Sequence, residues 1–259
     1  MAAIIPSDAA AVPLEGVILA LETSGVVGSV AVASEGDVVA RRFLTSPGRT
    51  ASDLIPSVEA LMEEAGLPLQ SLTAILAGAG PGSFTGVRIA AATAKGLASA
   101  LDIPLLAGSS LAAAAVAVEA LRSVSELPEA WVPRGPGGAW GGGPFEEERH
   151  PRYVLFDARR GRVYGACFAV GGGDPPSVIV EPHGGTVVDV LNGRPPLGAQ
   201  FMGDGARVHE GLIRAAGFAV QPLPAGVATA DGLLAWGSAH SVDGKVWEPD
   251  YVRSWTPGR

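Results

Sequence analysis

The sequence holds a single cysteine, Cys167, four histidines and three methionines among 259 residues. One thiol excludes a disulfide framework, and its place inside an apparent strand fits the reducing cytoplasm. The histidines, His150, His183, His209 and His240, form no helix-spaced pair, and none stands beside Cys167, so the common zinc patterns are missing. Long apolar runs are missing too. The longest, Leu111 to Val118, falls far short of the ~20 residues that a membrane span needs. Positive charge is scarce: 18 Lys and Arg stand against 26 Asp and Glu, giving a net charge of −8. That balance argues against the chain gripping nucleic acid unaided. Residues 1–16 contain no Lys or Arg and carry Pro6, Asp8 and Pro13, a poor secretory signal. They read as a disordered extension or as the product of an early start codon.

What is present is alanine, glycine and valine in abundance, a composition suited to helices packed closely on sheets. Two halves follow one plan. In the first, Val17–Leu21, Ser29–Ala33 and Val38–Phe43 read as strands, with a tight turn at Ser34–Asp37. A helix is expected from about Ser52 to Ala65, with Leu54, Ile55, Val58, Leu61 and Met62 on one face and Gly66 as its stop. A strand at 72–77, a glycine loop, a helix at 87–101 and a strand near Ile103–Leu106 complete the half. In the second, Tyr153–Phe156, Val163–Phe168 and Val178–Val180 repeat the opening. Both halves end their first strand in a carboxylate, Glu22 and Asp157. Three strands followed by alternating helices and strands, twice over, indicate a duplicated α/β architecture. The division is residues 17–118 for the first lobe, 119–152 for a Gly/Pro-rich flexible insert, and 153–259 for the second lobe with a closing C-terminal helix. The insert carries Gly135–Pro144 and then Glu146–Arg149, and such composition builds no core. Trp131, Trp140 and Phe145 within it read as loop aromatics or as a docking tag.

The most informative stretch is Gly78-Ala-Gly-Pro-Gly-Ser-Phe-Thr-Gly-Val-Arg-Ile89. Glycines at 78, 80, 82 and 86 permit sharp turns, and Ser83 or Thr85 can cap the following helix. Free amides at a helix start favour anions. The loop nevertheless lacks the Gly-Lys-Ser/Thr ending of a P-loop, and Thr85 stands where a dinucleotide fingerprint wants glycine. On its chemistry alone it is either an anion cradle or a strand-to-helix turn without ligand.

Gly80-Pro-Gly-Ser-Phe-Thr-Gly-Val-Arg-Ile89 resembles the signature of the bacterial TsaB (YeaZ) family, a glycoprotease-like branch of the actin/Hsp70/sugar-kinase fold. Ile18–Ser24 is similar to that family's opening strand, with Glu22 where the family usually has Asp. Asp157-Ala-Arg-Arg-Gly-Arg-Val-Tyr164 resembles a second family block, with Arg162 replacing an acid. Gly203–Ala206 and Pro249–Arg253 also fit, so the resemblance runs from about Val17 to Arg253, broken near 122–151. It implies a two-lobed, actin-like α/β fold with mixed sheets flanked by helices. It also implies a non-catalytic dimerisation subunit of the complex that makes threonylcarbamoyladenosine beside the tRNA anticodon. A TsaD-like transferase would be its partner, with a TsaE-like ATPase or a second copy of the chain as further partners, and tRNA would be met only through the complex.

Read by themselves, the apolar stripes of the two first-lobe helices face either the chain's own sheet or another subunit; the resemblance implies that these helices dock on the partner, through Leu54, Val58, Leu61, Met62, Val87, Ala91, Ala94 and Ala98. The nucleotide-like loops would be degenerate: Glu22, Thr23, Ser24, Gly80, Gly82, Ser83, Thr85 and Gly86 in the first half, Gly203, Asp204 and Gly205 in the second. The chain would then require no cofactor of its own, retaining at most weak ATP or ADP binding, with ATP and metal on partner subunits. The related TsaD family places two metal-binding histidines after the strand that follows its glycine loop, and here that region, Gly108–Ala115, has neither imidazole nor carboxylate. A Gly-x-Ser-x-Gly elbow is absent around Ser83, which disfavours a serine hydrolase or peptidase. The alternative reading is an ATP-dependent small-molecule kinase of the same fold, in which Glu22 and Gly203–Gly205 would face phosphate and Mg²⁺. Arg159, Arg160 and Arg162 read as a phosphate or RNA contact, or as a solvated turn.

Overall fold

The computed structural model describes residues 11–46, 48–121 and 149–249. These divide into two compact units, with one boundary inside a helix: among the described residues one takes those up to Ala113 together with 228–249, the other Ala114 to Val227.

The first unit is built on a seven-stranded sheet. Strands β2 (Val17–Glu22), β3 (Gly28–Ser34) and β4 (Asp37–Leu44) run antiparallel, joined by the tight turn at Glu35–Gly36. Helix α1 (Thr50–Glu64) then leads through a short 3-10 turn to β5 (Ala74–Gly78), which lies parallel to β2. The glycine loop follows, then α2 (Phe84–Leu101), β6 (Leu105–Gly108) and α3 (Ser110–Leu121). Alternation sorts the side chains to the two faces of the sheet. Leu19, Leu21, Val30, Val32 and Ile75 pack against α1 and α2, while Ile18, Ala20, Ala31, Leu76 and Leu106 pack on the other side with Ala230 and Leu233 of α7 (Ala230–Ala235). The many alanines explain the close approach, most plainly where a Cβ on Gly232 of α7 would overlap the carbonyl of Ala113.

The second unit repeats the order on five strands. Strands β7 (His150–Asp157), β8 (Arg162–Val170) and β9 (Ser177–Thr186) are antiparallel, and β10 (Gln200–Met202) and β11 (Ala219–Val220) extend the sheet parallel to β7. Helices α4 (Val187–Asn192), α5 (Asp204–Val208) and α6 (Glu210–Ala215) intervene. Glu22 and Asp157 are each the last residue of the first strand of their unit. The architecture is thus the duplicated, mixed-sheet α/β plan that the sequence indicates.

Several boundaries differ from those expected. Residues 11–13 are not an extension: they form β1 (Ala11–Pro13), which pairs antiparallel with β12 (Ser238–Val242), while Val12 and Leu14 pack on the core. Residues 228–249 belong to the first unit, not the second, because α7 packs on its sheet and β12 pairs with β6. No helix follows α7 among the described residues, where a closing C-terminal helix was expected. His209 sits half-buried at the junction of α5 and α6. The greater part of the Gly/Pro-rich insert, residues 122–148 with Trp131, Trp140 and Phe145, lies outside the described residues, as do residues 1–10. Among the described residues no helix is long and apolar enough to cross a membrane.

Candidate functional site

The glycine loop sits where β5 ends and α2 begins, directly against the end of β2. Ser83 caps α2, its hydroxyl accepting from the amide of Gly86, and the remaining glycines serve close contact. A Cβ on Gly78 would overlap the Glu22 carboxylate, one on Gly86 would overlap the carbonyl of Thr23, and one on Gly82 would stand 2.6 Å from the carbonyl of Ser24. The hydrogen bonds tell the same story. Thr23 donates its hydroxyl to the Gly86 carbonyl at 2.6 Å, and the Ser83 amide donates to the Ser24 carbonyl at 2.8 Å. Glu22, Thr23, Ser24, Gly80, Gly82, Ser83 and Gly86 are therefore brought together as expected, with Thr85 exposed on the first turn of α2.

Glu22 is wholly buried at the centre of this contact. One carboxylate oxygen accepts from the Ser24 amide at 2.6 Å, and the other accepts from the Ser110 hydroxyl at 2.7 Å. Ser110 in turn accepts from the Gly80 amide at 3.2 Å. Burial raises the Glu22 pKa above the usual carboxylate range, and the hydrogen bonds from Ser24 and Ser110 oppose that rise.

A phosphate chain with its hydrated metal needs free amides and an ionised carboxylate. Here the amides of Ala79, Gly80, Ser83 and Gly86 already have protein partners, and both Glu22 oxygens are engaged. Those four amides and the buried carboxylate are thus occupied within the protein. The loop's glycines are close-packing glycines.

The equivalent corner of the second unit is separate chemistry. Gly203, with φ of 96°, caps α5, and a Cβ there would overlap the carbonyl of Leu155, while one on Gly205 would stand 2.7 Å from the Phe156 backbone. Asp204 accepts from the amides of Asp157 and Gly205, at 3.1 and 2.9 Å. Burial raises the Asp204 pKa, those amides oppose the rise, and the neighbouring Asp157 charge adds to it. Asp157 accepts from the Arg159 amide at 2.9 Å. Among the described residues no three His, Cys, Asp or Glu side chains converge as a metal-holding group. Cys167 is buried in β8, and burial pushes its thiol up to about 12, so it is poorly suited to act as a nucleophile.

The helix pair requires a correction. Leu54, Val58, Leu61, Met62, Val87, Ala91, Ala94 and Ala98, expected to meet a partner, are all buried in the chain's own core. An apolar stripe satisfies the nearest apolar surface, and here that is the sheet. The surface that α2 leaves exposed is the opposite one: Phe84, Arg88, Ala92, Gly96, Ser99 and Ala100, with Arg88 over the Phe84 ring at 5.1 Å. On α1 the exposed positions include Ile55, Glu59, Glu63 and Glu64. Gly96 has open space around it. The signal was in the sequence, as the complement of the stripe: Phe84, Arg88, Ala92, Gly96 and Ala100 recur every four residues.

Comparison with known proteins places these features. The family model for tRNA N6-adenosine threonylcarbamoyltransferase (TsaD) matches residues 49–132, a span that includes α1, the glycine loop and α2. The tRNA threonylcarbamoyladenosine biosynthesis protein TsaB of Bacillus subtilis is 33% identical over 147 residues, which cover 57% of this chain and 52% of that protein. The Escherichia coli protein of the same name is 37% identical over 94 residues, 36% of this chain and 40% of that one. The chain thus spans about half the length of the curated relatives it matches. A solved Pseudomonas aeruginosa structure, an uncharacterized protein with similarity to peptidase YeaZ, is 26% identical. It superimposes with a TM-score of 0.66 over 92% of this chain and 100% of the other.

Proposed function

We propose that this chain, which belongs to the TsaB (YeaZ) family, is the non-catalytic, partner-holding subunit of the bacterial complex that makes threonylcarbamoyladenosine in tRNA. One observation carries the reading: the loop that would bind a nucleotide is packed onto the end of β2 by its own backbone, while the helix it launches leaves an exposed face rich in small residues. The first half of that observation speaks against nucleotide chemistry at that loop. The second supplies a means of association, because small residues such as Ala92 and Gly96 let another helix approach closely.

In this reading a TsaD-like transferase carries the metal and the transfer step, and a TsaE-like ATPase supplies ATP turnover. The chain itself holds the transferase through the exposed face of α2 and the adjoining edge of α1, and a second copy competes for the same face when the transferase is absent. A kinase of the same fold is not favoured, since four loop amides and the buried Glu22 are engaged with the protein itself.

The test is co-purification of the full chain with the transferase of the same organism, followed by a tRNA modification assay. The expected result is a stable complex that modifies tRNA, and no modification above background by this chain alone with the threonylcarbamoyl donor, with or without Zn²⁺ or Fe²⁺. Modified tRNA from the chain alone, or ATP turnover by it, would overturn the non-catalytic assignment.

A further inference from the structure

Three of the chain's 18 cationic side chains fall within four positions, Arg159, Arg160 and Arg162, at the turn between β7 and β8. All three are exposed. Arg159 and Arg160 adopt left-handed backbone, with φ of 66° and 53°, followed by Gly161 at 72°. Left-handed conformation costs a side-chain-bearing residue energy, so two successive arginines there must be held in place. The hold is visible. Asp204 accepts from the Asp157 amide, and Asp157 accepts from the Arg159 amide. The Ala158 amide also donates to the Arg162 carbonyl at 2.9 Å, and the Arg162 amide donates to that of Arg159 at 3.1 Å. These bonds consume backbone groups and leave the guanidiniums free of them. Among the described residues neither Arg159 nor Arg160 lies within ion-pair distance of a carboxylate, and Arg162 interacts electrostatically with the exposed Asp189.

We infer that this turn is a contact for the phosphate backbone of RNA, resting on the reading that the chain works in a tRNA-modifying complex. A guanidinium presents planar, forked donors that match phosphate oxygens, and it stays charged at any physiological pH. On a chain of net charge −8, general electrostatics repel RNA, so a held cluster of this kind directs a polyanion to one place. Backbone contacts of this type position an RNA without reading its sequence. An acidic protein surface is the competing occupant, and the experiment separates the two.

The test uses the full chain, as wild type, as the variant Arg159→Asn/Arg160→Asn/Arg162→Gln, and as Arg159→Lys/Arg160→Lys/Arg162→Lys. Asparagine tolerates the left-handed backbone, so the first variant keeps the fold, which matching thermal melts check. Binding of unmodified tRNA by the chain alone is followed by fluorescence anisotropy across a salt series, and the KM for tRNA is measured in the complex with the transferase. Loss of three phosphate contacts should weaken tRNA binding roughly tenfold or more and lower the log–log salt slope by about 2–3, with the lysine variant keeping most of both. In the complex, KM for tRNA should rise with kcat unchanged, and retention of the transferase should not change. Unchanged tRNA binding and KM in the folded neutral variant would overturn the assignment. So would loss of transferase retention with tRNA binding intact, which makes the turn a protein contact. If the wild-type chain retains no transferase, the functional reading fails, and the anisotropy arm still decides whether the turn binds RNA.

Discussion

Ser110 donates its hydroxyl to Oε2 of Glu22 across 2.7 Å, and neither residue is exposed to solvent. This bond ties the first turn of α3 to the end of β2, with the Gly80 amide on the same hydroxyl. Replacing Ser110 with alanine removes a donor and an acceptor at a buried site and should cost about 2 kcal/mol. Urea unfolding would show this as a lower midpoint at unchanged slope, and an unchanged midpoint would mean that the network is incidental.

The pH dependence of Glu22 has a definite sign. Its pKa is raised in the folded state, chiefly by burial, so its contribution to stability is fully present below the ordinary carboxylate range and is lost as pH rises through the raised value. Glu22→Gln stays neutral throughout. The wild type should therefore gain on the variant in melting temperature as pH falls from 8 towards 5. Parallel melting curves over that range would contradict the raised pKa.

The glycines of α2 should separate by position. Gly86→Ala places a methyl group on the Thr23 carbonyl, an overlap of backbone with backbone, and should destabilise by about 3 kcal/mol or more. Gly96→Ala meets open space on an exposed helix and should stabilise by roughly 0.5–1 kcal/mol. Two changes of the same chemistry on one helix thus carry opposite signs. Equal effects would refute the packing account of the loop.

Charge insertion along α2 distinguishes core from docking surface. Ala94→Glu buries a carboxylate in the core and should unfold the monomer, since an unpaired buried charge costs several kcal/mol. Ala92→Glu points outward, so the monomer should melt normally while transferase pull-down falls. A folded Ala92→Glu chain with full retention of the transferase would remove α2 from the proposed interface.

The edge of the first sheet depends on a buried ion pair. Arg41 of β4 meets Asp231 of α7 at 2.5 Å, across 190 residues of sequence. Asp231 is fully buried, and burial raises its pKa while Arg41 opposes the rise. Asp231→Ala leaves the half-buried guanidinium without its partner and should cost about 3 kcal/mol. A loss within about 0.5 kcal/mol, measured by denaturant titration, would show that water satisfies Arg41 equally well.

The duplicated plan was legible in the sequence because strands and helices announce themselves by local period: Val17–Leu21 is β2 but for its last residue, and Tyr153–Phe156 is half of β7. The loop's glycines announced close approach, though not to what, since Thr23 and Ser24 stand more than fifty positions away. The apolar stripe of α2 told which side is buried, but a partner and the chain's own sheet are equally apolar, so Ala91 and Ala94 were assigned to the wrong neighbour. β1 was not legible because three residues carry no period, and among the described residues its ladder is with β12, more than 220 positions away.

The late position of α7 in the chain sets an order of events during synthesis. The face formed by Ile18, Ala20, Ala31, Leu76 and Leu106 has no Ala230 or Leu233 to cover it until α7 has been translated. At ordinary elongation rates this is a delay on the order of ten seconds after β6 emerges. The first unit to begin folding is therefore the last to finish, and through that interval its apolar face is what the nascent chain offers to chaperones and to neighbouring chains.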